Sequence, residues 1–157
     1  MQIYPTMSPL DLGGKQGSAV ALGYFDGIHI GHRTVIGGAV EWAKAHGAAP
    51  AVFTFKLPMG SKIKGRRLFS TEDKHRLVAQ LGVEHYLAPA FEDIQAMTPD
   101  QFVRGLVADC HARAFFCGEN FTFGAKAAGN PAMLQELCKP LGVEVHVLPM
   151  AQYEGKP

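Results

Sequence analysis

Short apolar runs alternate with helix-period segments along almost the whole chain, and few folds accept that order. Residues 19–24 form the first run, and residues 34–45 follow with Val35, Ile36, Ala39, Val40 and Ala43 on one helical stripe. Residues 51–55, 85–88, 114–117 and 143–148 repeat the strand signal. The helices between them have legible ends. Ser70 reads as an N-cap with Asp73 three residues on, opening a helix to about Leu81 that Gly82 terminates. Thr98, Pro99 and Gln101 make a second cap signature for a helix to about His111, and Asn130 with Pro131 opens a last helix through about Leu137. Gly37 and Gly38 weaken the first helix by about 1 kcal/mol each relative to alanine, a cost that close packing of helix on sheet would offset. Alternation of this kind needs right-handed crossovers and a parallel sheet covered on both faces. The expected class is α/β: a Rossmann-like doubly wound parallel sheet of about five strands with helices on both faces, without internal repeats.

At 157 residues with 47% hydrophobic and 18% charged side chains, the chain can bury a core without disulfides or metal. A formal charge of +1 offers no electrostatic case for nonspecific nucleic-acid or membrane binding. Cys110, Cys117 and Cys138 are odd in number and lack metal-ligand spacing, which reads as reduced, packed thiols. Neither a signal peptide nor an apolar run of membrane-spanning length is seen, so a cytoplasmic location is expected.

In a doubly wound sheet ligands bind beyond the carboxyl ends of the strands. The segments 23–26, 55–67 and 118–130 each follow a strand and are expected to meet in one cleft. The first opens the string Gly23-Tyr24-Phe25-Asp26-Gly27-Ile28-His29-Ile30-Gly31-His32, which leads from a strand into a helix. A helix start presents unpaired N–H groups and a positive dipole end, so phosphates are stabilised there before any side chain contributes. Asp26-Gly27 is a turn pair, and Gly31 lets backbone approach a ligand closely. Either histidine alone would more often be structural, and two histidines three apart can also form part of a metal site. Phe121 and Phe123 alternate with Asn120 beside them, as either a flat apolar slot or ordinary core. The basic run Lys62 to Arg67 reads as a solvated loop. His46 suits a helix C-terminus, and His75, His85, His111 and His146 share no motif.

The ten-residue string resembles the G-x-F-D-x-x-H-x-G-H signature of the HxGH nucleotidyltransferase superfamily. Within that superfamily the chain is similar to the FAD synthetase (FMN adenylyltransferase) domain of bacterial bifunctional riboflavin kinase/FAD synthetase. Gly118-Glu-Asn-Phe-Thr-Phe-Gly124 with Gly129-Asn130 resembles that family's flavin loop, and Thr54-Phe55, Pro58, Arg67-Leu68 and Leu81-Gly82-Val83 resemble its middle region. After Phe55 the chain reads Lys-Leu-Pro-Met where the family commonly shows x-P-H-P. The resemblance also implies a second phosphate-binding string just after residue 157 and a riboflavin kinase domain beyond it. The chain is accordingly expected to be a single nucleotidyltransferase domain, residues 1–157, truncated before both.

The resemblance implies adenylyl transfer from ATP to FMN, giving FAD and pyrophosphate, with impaired turnover in a truncated chain. His29 and His32 are the implied catalytic residues, donating hydrogen bonds to the triphosphate. Gly23, Tyr24, Phe25, Asp26 and Gly31 are implied to bind ATP, and Phe55, Asn120, Phe121 and Phe123 to bind FMN. Mg²⁺ would arrive with ATP, held by phosphate oxygens and water rather than by protein ligands. Alternatives stand beside this, of which a purely structural or interaction protein would leave the ten-residue string unexplained. One is another HxGH transferase, acting on phosphopantetheine, nicotinamide mononucleotide or a cytidylyl acceptor. A class I aminoacyl-tRNA synthetase shares the literal His-Ile-Gly-His but needs a lysine-rich loop not found here. The last is a non-catalytic flavin- or nucleotide-binding fragment.

Overall fold

Three strands of this chain are buried from end to end, and that burial dictates the architecture. The computed structural model describes residues 1–23, 30–55 and 71–149. In chain order its elements are β1 (Gln2–Tyr4), β2 (Ser18–Leu22), α1 (Ile30–His46), β3 (Ala49–Phe53), α2 (Thr71–Gln80), β4 (His85–Leu87), α3 (Phe91–Ile94), α4 (Pro99–Cys110), β5 (Ala112–Gly118), α5 (Pro131–Cys138) and β6 (Glu144–Leu148). Every residue of β2, β3 and β4 is buried, as expected where helices cover both faces of a parallel sheet.

The six strands run parallel in the order β1-β4-β3-β2-β5-β6. Alternate residues feed opposite layers. Val20, Leu22, Phe53, Phe115 and Cys117 pack with Phe102, Val103 and Leu106 of α4 and Leu134 of α5. Ala19, Ala21, Val52, Ala114 and Phe116 pack with Val35, Ile36, Ala39, Val40 and Ala43 of α1 and Val78 of α2. The stripe read from the sequence of α1 is thus its buried face. The strand order reverses between β2 and β5, so the crossovers after these two strands leave on opposite faces and open a crevice at their carboxyl ends.

The sheet has six strands rather than about five. The additional strand, β1, is three residues long and largely exposed, and carries no period-2 pattern of its own. It is held from outside, by pairing with β4 and by a 3.0 Å hydrogen bond between the Tyr4 hydroxyl and His85 Nδ1. The single-turn helix α3 was likewise not expected. Strand and helix ends move by one to four residues: β2 ends at Leu22, β3 at Phe53, and α1 begins at Ile30 rather than Thr34. Ser70 and the run Lys62 to Arg67 lie outside the described residues.

Caps follow the sequence. Thr98 Oγ1 accepts from Gln101 N at 3.1 Å while Gln101 Oε1 accepts from Thr98 N at 3.0 Å, a complete capping box. Asn130 Oδ1 accepts from Met133 N at 2.9 Å. Gly82, at φ 106°, ends the segment after α2 in a conformation that suits glycine.

The three cysteines are free and buried. Burial pushes the Cys110 thiol up to about 12 and those of Cys117 and Cys138 to about 11, from an ordinary 9.0. Groups harder to ionise when folded contribute full stability below their unfolded pKa and lose it as pH rises through the folded value. Unfolding free energy should therefore decline between about pH 9 and 12, and the native protein should resist iodoacetamide at pH 8. Rapid labelling of the native state at pH 8 would contradict these burials.

The two glycines of α1 are not equivalent. A Cβ on Gly38 would lie 3.1 Å from Phe116 Cδ2, whereas one on Gly37 would meet none of the described atoms within 4 Å. Gly37→Ala should raise stability by about 1 kcal/mol in urea unfolding, and Gly38→Ala should gain nothing because helix and sheet touch there.

Candidate active site

At the carboxyl edge of the sheet the loops enclose a cavity of about 340 Å³, within the ~300–1,000 Å³ of small-molecule sites. Its walls come from the end of nearly every central strand. Gly23 follows β2, Phe53 ends β3 with Phe55 two residues on, Phe91 and Ile94 come from α3 after β4, and Phe121 to Gly124 follow β5. Phe102, in the first turns of α4, closes the floor. Six phenylalanines therefore face one space. Phe55 and Phe91 have ring centroids 5.2 Å apart, Phe102 and Phe123 5.4 Å, and Phe121 and Phe123 lie 5.7 Å apart at 20°. Broad flat walls with little polar edge suit a planar aromatic ligand.

The segment after β5 is held in place by backbone bonds. Phe123 and Gly129 pair antiparallel, with Gly129 N donating to Phe123 O at 2.7 Å and Phe123 N to Gly129 O at 3.2 Å. Ala125 N donates to Met97 O at 2.7 Å, fastening the segment to the start of α4. Gly124, at φ 82°, would carry a Cβ 2.9 Å from Pro99, so only glycine fits. Lys126 and Ala127 adopt left-handed φ of 56° and 54°. Such a conformation costs a side-chain-bearing residue about 1–2 kcal/mol that glycine avoids.

Parts of the three post-strand segments do converge: Gly23, Phe55, Phe121 and Phe123 all line the cavity. Phe123 is both core and wall, since it is buried in the cluster around Phe102 and Leu134. Asn120 is exposed at the turn after β5 and is not among the lining residues. Gly31 and His32 lie in the first turn of α1. Tyr24, Phe25, Asp26 and His29 lie outside the described residues. The sequence reading did not single out Phe91, Ile94, Gln95, Phe102 or Lys126. The apolar pair Phe91 and Ile94, three apart beyond a strand end, was an available signal. No sequence pattern distinguished Phe102 from an ordinary core residue.

The family model described as FAD synthetase matches residues 13–157. The chain belongs to the FAD synthetase family. A Bacillus subtilis protein named bifunctional riboflavin kinase/FMN adenylyltransferase is 35% identical over 119 residues, covering 71% of this chain and 37% of that protein. A Listeria monocytogenes FAD synthetase is 27% identical over 143 residues, covering 88% of this chain and 58% of that one. The chain thus spans roughly a third to a little over half of the length of these two FAD synthetase relatives. The fold is shared with a Streptococcus pneumoniae crystal structure described as a macrolide-efflux protein, at TM-score 0.78 and 23% identity, covering 97% of this chain and 60% of that one. At that identity the likeness is one of fold alone. Among the described residues of this FAD synthetase family member, no helix is long and apolar enough to cross a membrane.

The Phe123–Gly129 contact gives the site a stability signature. A Cβ on Gly129 would lie 2.6 Å from the Phe123 ring, so Gly129→Ala must drive the ring into the cavity or part the paired backbone. It should cost about 1–3 kcal/mol in thermal unfolding. Gly105→Ala, whose Cβ would lie 3.9 Å from Met7 Cε and meet no other described atom within 4 Å, should be neutral or stabilising.

Proposed function

We propose that this chain transfers the adenylyl group of ATP to FMN, forming FAD and releasing pyrophosphate. The observation that carries the reading is the phenylalanine-walled cavity opening beside Gly23, where the histidine-bearing string begins, in a chain of the FAD synthetase family. The cavity supplies a slot for the isoalloxazine, and the start of α1 supplies N–H groups and dipole for phosphates.

The chemistry asks little of a protein base. The attacking FMN phosphate is already anionic, so the oxygen–phosphorus bond to the α-phosphate forms as pyrophosphate leaves without proton abstraction. Catalysis reduces to aligning two anions and stabilising the charge that develops on the phosphoryl oxygens. His29 and His32 are proposed as donors to the triphosphate, with Tyr24, Phe25, Asp26 and Gly31 around it. Phe55, Phe121 and Phe123 are proposed to hold the flavin, with Asn120 at its edge. Mg²⁺ is proposed to enter with ATP on phosphate oxygens and water, which suits its reluctance to dehydrate. Among the described residues no three His, Cys, Asp or Glu converge on a metal-sized site. The pairing of riboflavin kinase with FMN adenylyltransferase in the name of the Bacillus subtilis relative is, for this chain, likewise a proposal.

The test is direct. The chain is incubated with FMN, ATP and Mg²⁺, and FAD and pyrophosphate are quantified. His29→Ala and His32→Ala should each lower FAD formation about 10²- to 10³-fold, the range for loss of one transition-state donor, with circular dichroism unchanged. Undiminished rates would remove both histidines from the mechanism. FMN binding without FAD formation would leave a flavin-binding module, and failure to bind either substrate would overturn the reading.

A further inference from the structure

We propose that Lys126 is the residue that makes the cavity prefer a phosphorylated flavin over an unphosphorylated one. The inference rests on the flavin reading of the cavity and adds a specificity determinant to it. Every other described residue lining the cavity is apolar or neutral, and Lys126 alone carries a charge. It is exposed, and no ion pair engages its ammonium among the described residues. Among the described residues the lining therefore joins an aromatic slot to one cation without an ion pair at its exposed rim.

The backbone fixes that cation there. The segment is pinned on both sides by the Phe123–Gly129 pair and by the bond from Ala125 N to Met97 O. Lys126 is held left-handed at φ 56° and ψ 30°, a conformation that glycine would adopt more easily. Glycines stand at Gly124 and Gly129 of the same segment, so a lysine here is a costly local choice. A strained residue at a cavity rim is a reason to look for a functional demand on its side chain.

The ligand's chemistry supplies that demand. An oxidised isoalloxazine is uncharged, so the aromatic walls bind riboflavin and FMN alike. The two differ in a terminal phosphate, which cannot enter the apolar slot and must stay at its mouth. Gly23 lines the same cavity, so a flavin in the slot has its tail within the crevice that runs to the proposed triphosphate site. An ammonium at the rim then attracts the phosphate and contributes nothing to the unphosphorylated ring.

Dissociation constants for FMN and riboflavin are to be measured by flavin fluorescence on the wild-type chain and on Lys126→Gly, Lys126→Met and Lys126→Arg. Both neutral variants should weaken FMN about tenfold, the low end for a hydrogen bond to a charged group, and leave riboflavin within about twofold. Added salt should weaken FMN binding in the wild type and much less in the neutral variants. Lys126→Arg should retain the preference. Lys126→Gly should melt no lower than the wild type, because it relieves the strained φ. Equal loss of both flavins, or unchanged FMN affinity, would overturn the proposal while leaving the flavin site standing. A wild-type chain that binds neither flavin would overturn the flavin reading itself.

Discussion

The pairing of β2 with β3 on one side and β5 on the other governs everything that follows it in this fold. Because the chain steps outward in both directions from β2, its central strands are enclosed by helices and are rich in buried Ala, Val, Leu and Phe. The same step sends the connections after β2 and β5 to opposite faces of the sheet. A crevice at the carboxyl ends of the strands is thus a by-product of the strand order. What this sequence adds to the described rim is aromatic, with Phe121 and Phe123 following β5.

Much of this was legible in the amino-acid order because the signals were local. The stripe from Val35 to Ala43, the Thr98–Gln101 box and the Asn130 cap each declare themselves within a few residues and hold in three dimensions. What escaped notice was set by partners far along the chain. β1 exists because β4 offers an edge, and α3 exists because Ile94 is buried against the core. The cavity divides the same way. Phe121 and Phe123 announced themselves by spacing beside a glycine-bounded loop, whereas Phe102 is a helix residue whose second role depends on what the fold places opposite it. Lys126 was equally invisible, since a left-handed lysine has no signature short of its coordinates.

The walls of the cavity serve two purposes. Phe53, Phe102 and Phe123 are buried members of the core cluster as well as lining residues. Phe53 and Phe102 meet edge to face at 5.2 Å, and Phe102 packs on Phe123 in turn. Side chains already fixed by core packing lose little freedom when a ligand arrives, so the slot is preorganised rather than assembled on binding. The more exposed Phe55 and Phe121 complete the opening and can adjust to the ligand's outline.

The capping box at Thr98 ties this slot to a helix end. Met97, just ahead of the box, receives the amide of Ala125, and Pro99, just behind it, fills the place a side chain on Gly124 would need. The aromatic wall after β5 therefore hangs from the first turn of α4. Fraying of that turn, an event far cheaper than global unfolding, would release the wall and let a bound molecule escape. A ligand's residence in the slot would in this way depend on the integrity of a hydrogen-bonded turn that also supplies Phe102 to the floor.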